Sequence, residues 1–188
     1  FITYMSARYM TQNSLLLNNL LEYYNKNDNL DSILPIINGE SKISLRLIDW
    51  FVTNYSKKYF TVYDLKKGDK TVRFKVYIDY KLKLKAYSKK RFDPFCRWER
   101  INIPYKNNTY IQTTIGQLNF FRWAQEKQIL NYIFKHIDEI NSDMNKRNST
   151  SRSKDKKNKK TRKKREELSI SASKSIKKEN VEIVVEFK

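Results

Sequence analysis

The stretch TVRFKVYIDYKLKLKAY, residues 71–87, decides how the middle of this 188-residue chain is read. Its side chains alternate, with Val72, Phe74, Val76, Ile78, Tyr80, Leu82, Leu84 and Ala86 on one side and Arg73, Lys75, Tyr77, Asp79, Lys81, Lys83, Lys85 and Tyr87 on the other. A period of two is the signature of a half-buried strand, one face on a core and the other in water. Ordinary strands run about 5–6 residues, so a stretch this long implies a bulge or bend near Asp79, or a pair of strands. The solvent face would then be basic, with tyrosines set between the lysines.

Working outward, YFTVY (59–63) reads as a preceding strand and LKKGDK (65–70) as the turn, with Gly68 in it. Upstream the period is helical: Leu16, Leu17, Leu20, Leu21 and Tyr24 form one stripe behind a Thr11 or Ser14 cap. A short helical turn is expected near Asp31–Ile37, broken by Asn38-Gly39. From Ser41 the residues Ile43, Leu47, Ile48, Phe51, Val52 and Tyr55 mark a second long helix. Downstream, RWERINIPY and TYIQ read as short strands around the turn at Lys106-Asn107-Asn108. Thr114 and Gln117 then fit a capping box for a helix bearing Leu118, Phe121, Leu130, Ile133, Phe134, Ile137 and Ile140, with a break or kink near Glu126–Gln128. The fold expected is α+β, an antiparallel sheet flanked by helices, followed by a disordered basic C-terminal arm. Its boundaries are residues 1–9, disordered or an upstream read with Met5 a candidate start; an α+β domain over 10–144; the basic arm over 145–178; and a terminal strand over 179–188. In that last segment Val181, Ile183, Val185 and Phe187 alternate, as a strand seeking a sheet edge would.

The chain carries 39 Lys+Arg against 20 Asp+Glu, a net charge of +19. Residues 146–165 (KRNSTSRSKDKKNKKTRKKR) hold 12 basic residues and one acidic, so +11 sits there and +8 remains over the other 168 residues. A field of this sign recruits phosphates, anionic surfaces or acidic proteins. One cysteine cannot form an internal disulfide, and no apolar run approaches a membrane span, so a soluble intracellular protein without membrane contact is expected.

Few residues suggest catalysis. Cys96 lies among Lys90, Arg91, Arg97 and Arg100, whose charge favours a thiolate, yet the single histidine, His136, is forty positions away; a small buried residue at a corner near Pro94 is the reading preferred. Zinc needs three or four Cys or His ligands, and the chain offers one of each. Asp79, Asp93 and Glu99 with Arg100 have no spacing that defines a metal-dependent nuclease, which remains the weakest alternative. Gly39, Gly68 and Gly116 are too scattered for a phosphate-cradling loop. No catalytic residue, metal or cofactor is expected.

Binding has the better candidates. Alternate side chains on a strand repeat at about 6.6 Å, near the phosphate spacing of a nucleic-acid strand, so Arg73, Lys75, Lys81, Lys83 and Lys85 can track a backbone, with Lys89, Lys90, Arg91, Arg97 and Arg100 extending the surface. Tyr77, Tyr87 and Trp98 are candidates for stacking on exposed bases. A solubilising outer face stands beside that reading. In the arm, Lys156, Lys157, Lys159, Lys160, Arg162, Lys163, Lys164 and Arg165 form a run that binds polyanions by counterion release.

The blocks SLRLIDWFVTNYSKK, YKLKLKAYSKKRFDPFCR and TTIGQLNFFRWA resemble a family of uncharacterised proteins of the nucleocytoplasmic large DNA viruses, the giant viruses, over residues 41–140. The resemblance implies a viral setting, the host cytoplasm with its virus factory or the virion, and no catalytic residues to transfer. The basic run adds entry to the host nucleus. Together these readings lead to a non-enzymatic, largely sequence-nonspecific binder of DNA or RNA serving genome packaging or transcription support. The alternative is a structural virion component that contacts other virion proteins.

Overall fold

The computed structural model describes residues 11–26, 28–106, 109–155 and 178–179. The expected start segment, the run from Lys156 to Arg165 and the alternating terminal residues 181–187 lie outside the described residues. The fold is α+β, but it holds two small antiparallel sheets where one was expected.

Helix α1 (Gln12–Tyr24) begins as anticipated, with the Thr11 side chain accepting from the Ser14 amide at 3.2 Å. Helix α2 (Asn29–Ile37) follows and ends before Gly39, whose φ of +76° suits a residue without a Cβ. Next comes α3 (Leu45–Trp50), capped by Ser44 on the Leu47 amide, which runs through a π-helical turn (Phe51–Tyr55) into α4 (Ser56–Lys58). Ile43, Leu47, Ile48, Phe51, Val52 and Tyr55 are all buried, as their spacing predicts.

Strands β1 (Val62–Lys67) and β2 (Lys70–Lys75) form a hairpin about Gly68-Asp69, with Gly68 at φ +60°. Here the long-strand expectation fails. From Val76 the chain is helical, as α5 (Val76–Arg91), broken only at Ser88. The physical reason is supply of partners. A strand must pair its backbone groups, and β1 is used up where Val62 faces Lys75; the Val76 amide takes the last bond, to the Thr61 carbonyl at 3.2 Å. Beyond that point only a helix satisfies the backbone internally, and Lys, Leu and Ala at 81–86 are good helix formers. The alternating set is accordingly scattered. Phe74, Val76 and Tyr80 are buried, whereas Val72, Ile78 and Leu82 are half or more exposed.

The second sheet contains β3 (Ile101–Tyr105), β4 (Thr109–Thr113) and a two-residue β5 (Lys178–Glu179) on the β4 edge. Then α6 (Ile115–Glu126) starts at Thr114, whose hydroxyl accepts from the Gln117 amide at 3.0 Å. The expected break falls at Gln128, at φ +53°, between α6 and α7 (Ile129–Lys135). Phe134, expected inside, is 63 % exposed. Helix α8 (Ile137–Asp155) runs past Met144, so the first eleven residues given to a disordered arm are helical. Asp143 and Arg147 tie this helix to Trp50, Asn54 and Lys58, and a helix already nucleated extends at little cost into Lys, Arg and Ser.

One contact in the core admits a direct test. Gly116, in the first turn of α6, lies against the end of α5: a Cβ there would meet the Lys90 carbonyl oxygen at 2.8 Å. That oxygen belongs to backbone fixed on both sides and cannot swing away. Gly116→Ala is expected to destabilise the fold by about 1–3 kcal/mol, the usual cost of overpacking, despite alanine's better helix propensity. Thermal unfolding measures it; an unchanged or higher melting temperature contradicts the close approach.

Candidate nucleic-acid interface

The predicted basic strand face does not exist as such. Arg73 and Lys75 are exposed on β2, but Lys81, Lys83 and Lys85 lie on α5, where 100° per residue puts Lys81 and Lys85 on one side and Lys83 nearly opposite, half-buried. A row spaced to match successive phosphates is therefore lost. The expected stacking residues divide as well. Tyr87 packs beside Phe92, ring centroids 6.2 Å apart, and Tyr77 is half-buried under the Lys57 ammonium, whereas Trp98 is 45 % exposed in the loop before β3.

The segment RFDPFCR is a corner that clamps α5 to α6. The Asp93 amide donates to the Gly116 carbonyl at 3.2 Å, Asn119 donates to the Arg91 carbonyl at 2.8 Å, and Gln117 donates to the Pro94 carbonyl at 2.9 Å. Asp93 itself is buried and takes both arms of Arg97, at 2.8 and 2.9 Å, and the Phe95 amide at 3.1 Å. Arg97 is thus engaged with Asp93, and Arg100 donates to Gln112 at 3.0 Å. Lys89 and Lys90 remain exposed, and Arg91 donates to Gln12 at 3.1 Å. Cys96 is buried, and burial pushes its thiol up against the weaker pull of Arg100, which favours the packing role over a nucleophile. The three carboxylates weighed for a nuclease are dispersed: Asp79 accepts from the Trp123 indole, Asp93 faces Arg97, and Glu99 lies exposed. Among the described residues no group of three or more His, Cys, Asp or Glu is placed to hold a metal.

What sequence reading missed is a patch where α4, the following turn and α8 meet. Asp143 of α8 accepts from Trp50 at 3.1 Å, Tyr59 at 3.1 Å and Lys58 at 2.5 Å. Burial pushes its carboxyl up, but those three donors outweigh burial and hold it below the usual range. Burial, then the neighbouring Glu139, push the Tyr55 phenol up to about 12, so it stays protonated and donates to that carboxylate at 3.4 Å. Around this polar floor stand Lys58, Lys146 and Arg147, the Arg147 guanidinium lying 5.5 Å from the Trp50 ring centre. Tyr59, 50 % exposed, completes the rim, and the next residue along the chain, Phe60, is 85 % exposed. The sequence hid them, because YFTVY alternates as a strand with a buried face. The one local signal was Lys57-Lys58-Tyr59-Phe60 closing a strong helical stripe without a glycine.

The fold and its surface define a basic α+β protein whose described residues place no three metal-ligating side chains together, and whose positive charge continues in sequence from α8 into the run 156–165. The chain belongs to the family of unknown function DUF7197, whose model matches residues 3–188. It is similar, at 46 % identity over 130 residues, to an uncharacterized protein of Acanthamoeba polyphaga mimivirus; the match covers 66 % of this chain, and the chain spans about half, 49 %, of that relative. No solved structure matches. The giant-virus resemblance drawn from the three sequence blocks therefore holds at the level of an uncharacterised family. No helix among the described residues is long and apolar enough to cross a membrane.

Proposed function

We propose that this protein binds nucleic acid through its backbone phosphates, with little sequence preference, in genome packaging or transcription support of a giant virus. The observation that carries the reading is α8, which presents Lys146 and Arg147 beside Lys58 and the exposed ring of Tyr59 and leads in sequence into a run of eight lysines and arginines. Two carboxylates, Asp143 and Glu139, share the patch with the three cations Lys58, Lys146 and Arg147, so the local balance stays positive. The setting that fits is the virus factory or the virion, with the host nucleus reached through the basic run.

Charge reversal in the full chain tests this. Lys146→Glu with Arg147→Glu, and separately Lys156, Lys157, Lys159 and Lys160→Glu, are each expected to weaken binding to a labelled oligonucleotide at least about tenfold, because each exchanges attraction for repulsion at phosphates. Lys81→Glu with Lys85→Glu is expected to matter less, since Ile78 and Leu82 interrupt that face. Binding by the first two variants equal to the parent's refutes the reading. A second reading, a structural virion component, draws on that exposed Ile78–Leu82 pair on α5, apolar surface that phosphate binding does not use.

A further inference from the structure

Phe60 is a residue in the wrong place for stability. Helix α4 ends with the Thr61 amide donating to the Ser56 carbonyl at 3.1 Å, six residues closing back on one, and the residue this motif places in the left-handed region is Phe60, at φ +49°. Glycine is the usual occupant, since it alone meets no Cβ penalty there. A bulky aromatic is a true outlier in that region. Nothing in its surroundings compensates, because 85 % of the residue is exposed. Its neighbour Tyr59 is fixed, by contrast: its ring lies 4.5 Å from the Tyr55 ring, its hydroxyl donates to Asp143, and the Lys58 ammonium sits 4.6 Å from its ring centre. A strained, solvent-facing ring next in the chain to a rigid one, which itself shares a patch with Lys58, Lys146 and Arg147, is costly to fold and useless to the core.

We infer that Phe60 is a stacking platform for unpaired bases beside the basic patch, so that the nucleic acid this patch takes is single-stranded. The inference rests on the nucleic-acid reading above and narrows its substrate class. In a duplex every base face but the terminal ones is covered by its neighbours, so a projecting ring finds a partner only on a splayed single strand. Lys58, Lys146 and Arg147 then face the flanking phosphates, and sequence preference stays low because every base has a face to offer. A ring used instead as a wedge between duplex base steps would show itself in duplex binding.

The test uses the full chain and the variant Phe60→Gly, with fluorescein-labelled oligo(dT) of about 20 nucleotides and a mixed-sequence duplex of equal length at one fixed salt concentration. The parent is expected to bind the single strand more tightly than the duplex. Phe60→Gly is expected to lose at least about fivefold on the single strand, the lower end of what one stacked base contributes, to leave duplex binding unchanged, and to melt at a higher temperature than the parent. Phe60→Trp is expected to keep single-strand binding, which separates loss of a ring from loss of a fold. Equal binding of both nucleic acids by the parent, or full single-strand affinity in Phe60→Gly, overturns the platform while leaving phosphate binding standing. A loss on the duplex equal to that on the single strand overturns it in favour of a wedge. Binding of neither by the parent overturns the nucleic-acid reading itself.

Discussion

Raising the salt from about 50 to 200 mM is expected to weaken binding of the full chain to DNA or RNA about a thousandfold, the response of a protein that neutralises about six phosphates. The number follows from the charge inventory. Residues 146–165 carry 12 basic side chains against one acidic, and Lys58 stands beside the helix from which that run departs. Each phosphate contact releases condensed counterions whose entropy is worth less as bulk salt rises, so log affinity should fall linearly with log salt at a slope of about −0.9 per contact on duplex and about −0.7 on single strands. Engagement of only half the run still gives a steep line. Fluorescence anisotropy over a salt series measures the slope. A flat response removes counterion release as the driving force, and the apolar face of α5 then becomes the surface to pursue.

Phe92→Ala is expected to cost about 3–5 kcal/mol, the range for removing a fully packed phenylalanine and leaving its cavity. Phe92 is 2 % exposed and meets four rings, Tyr80, Tyr87, Phe120 and Trp123, at centroid distances of 6.0, 6.2, 5.2 and 5.3 Å. Its two neighbours forbid collapse into the space: the Arg91 carbonyl is held by Asn119, and Asp93 by Arg97 and the Gly116 carbonyl. Domains of ordinary size are stable by about 5–15 kcal/mol, so this one substitution removes a large part of the margin. Urea unfolding at constant slope reads it as a lower midpoint. A loss under about 1 kcal/mol would show that the corner is looser than its hydrogen bonds imply. Cys96, a short step along the chain from this clamp, takes its buried place from the same corner.

Features that depend on near neighbours along the chain are legible in the order of residues alone. The Thr11 and Thr114 caps, the buried stripe from Ile43 to Tyr55, the turn at Gly68, the strands around Tyr105 and the break at Gln128 each rest on a propensity or spacing that acts within a few residues. So does the excess of positive charge, which no fold can conceal. The run 76–91 is not legible in that way, because alternation of Leu and Lys suits a strand and their propensities suit a helix; what decides between them is the length of β1, which offers no partner beyond Val62. The patch at Lys58, Tyr59, Asp143 and Arg147 brings together segments about 90 positions apart, and only packing of α8 across the π-helical turn creates it. The sequence by itself determined the local elements and the field; tertiary structure decided which aromatic rings the core keeps and which it leaves in water, because burial is settled by partners distant in the chain and not by the residue's own preference.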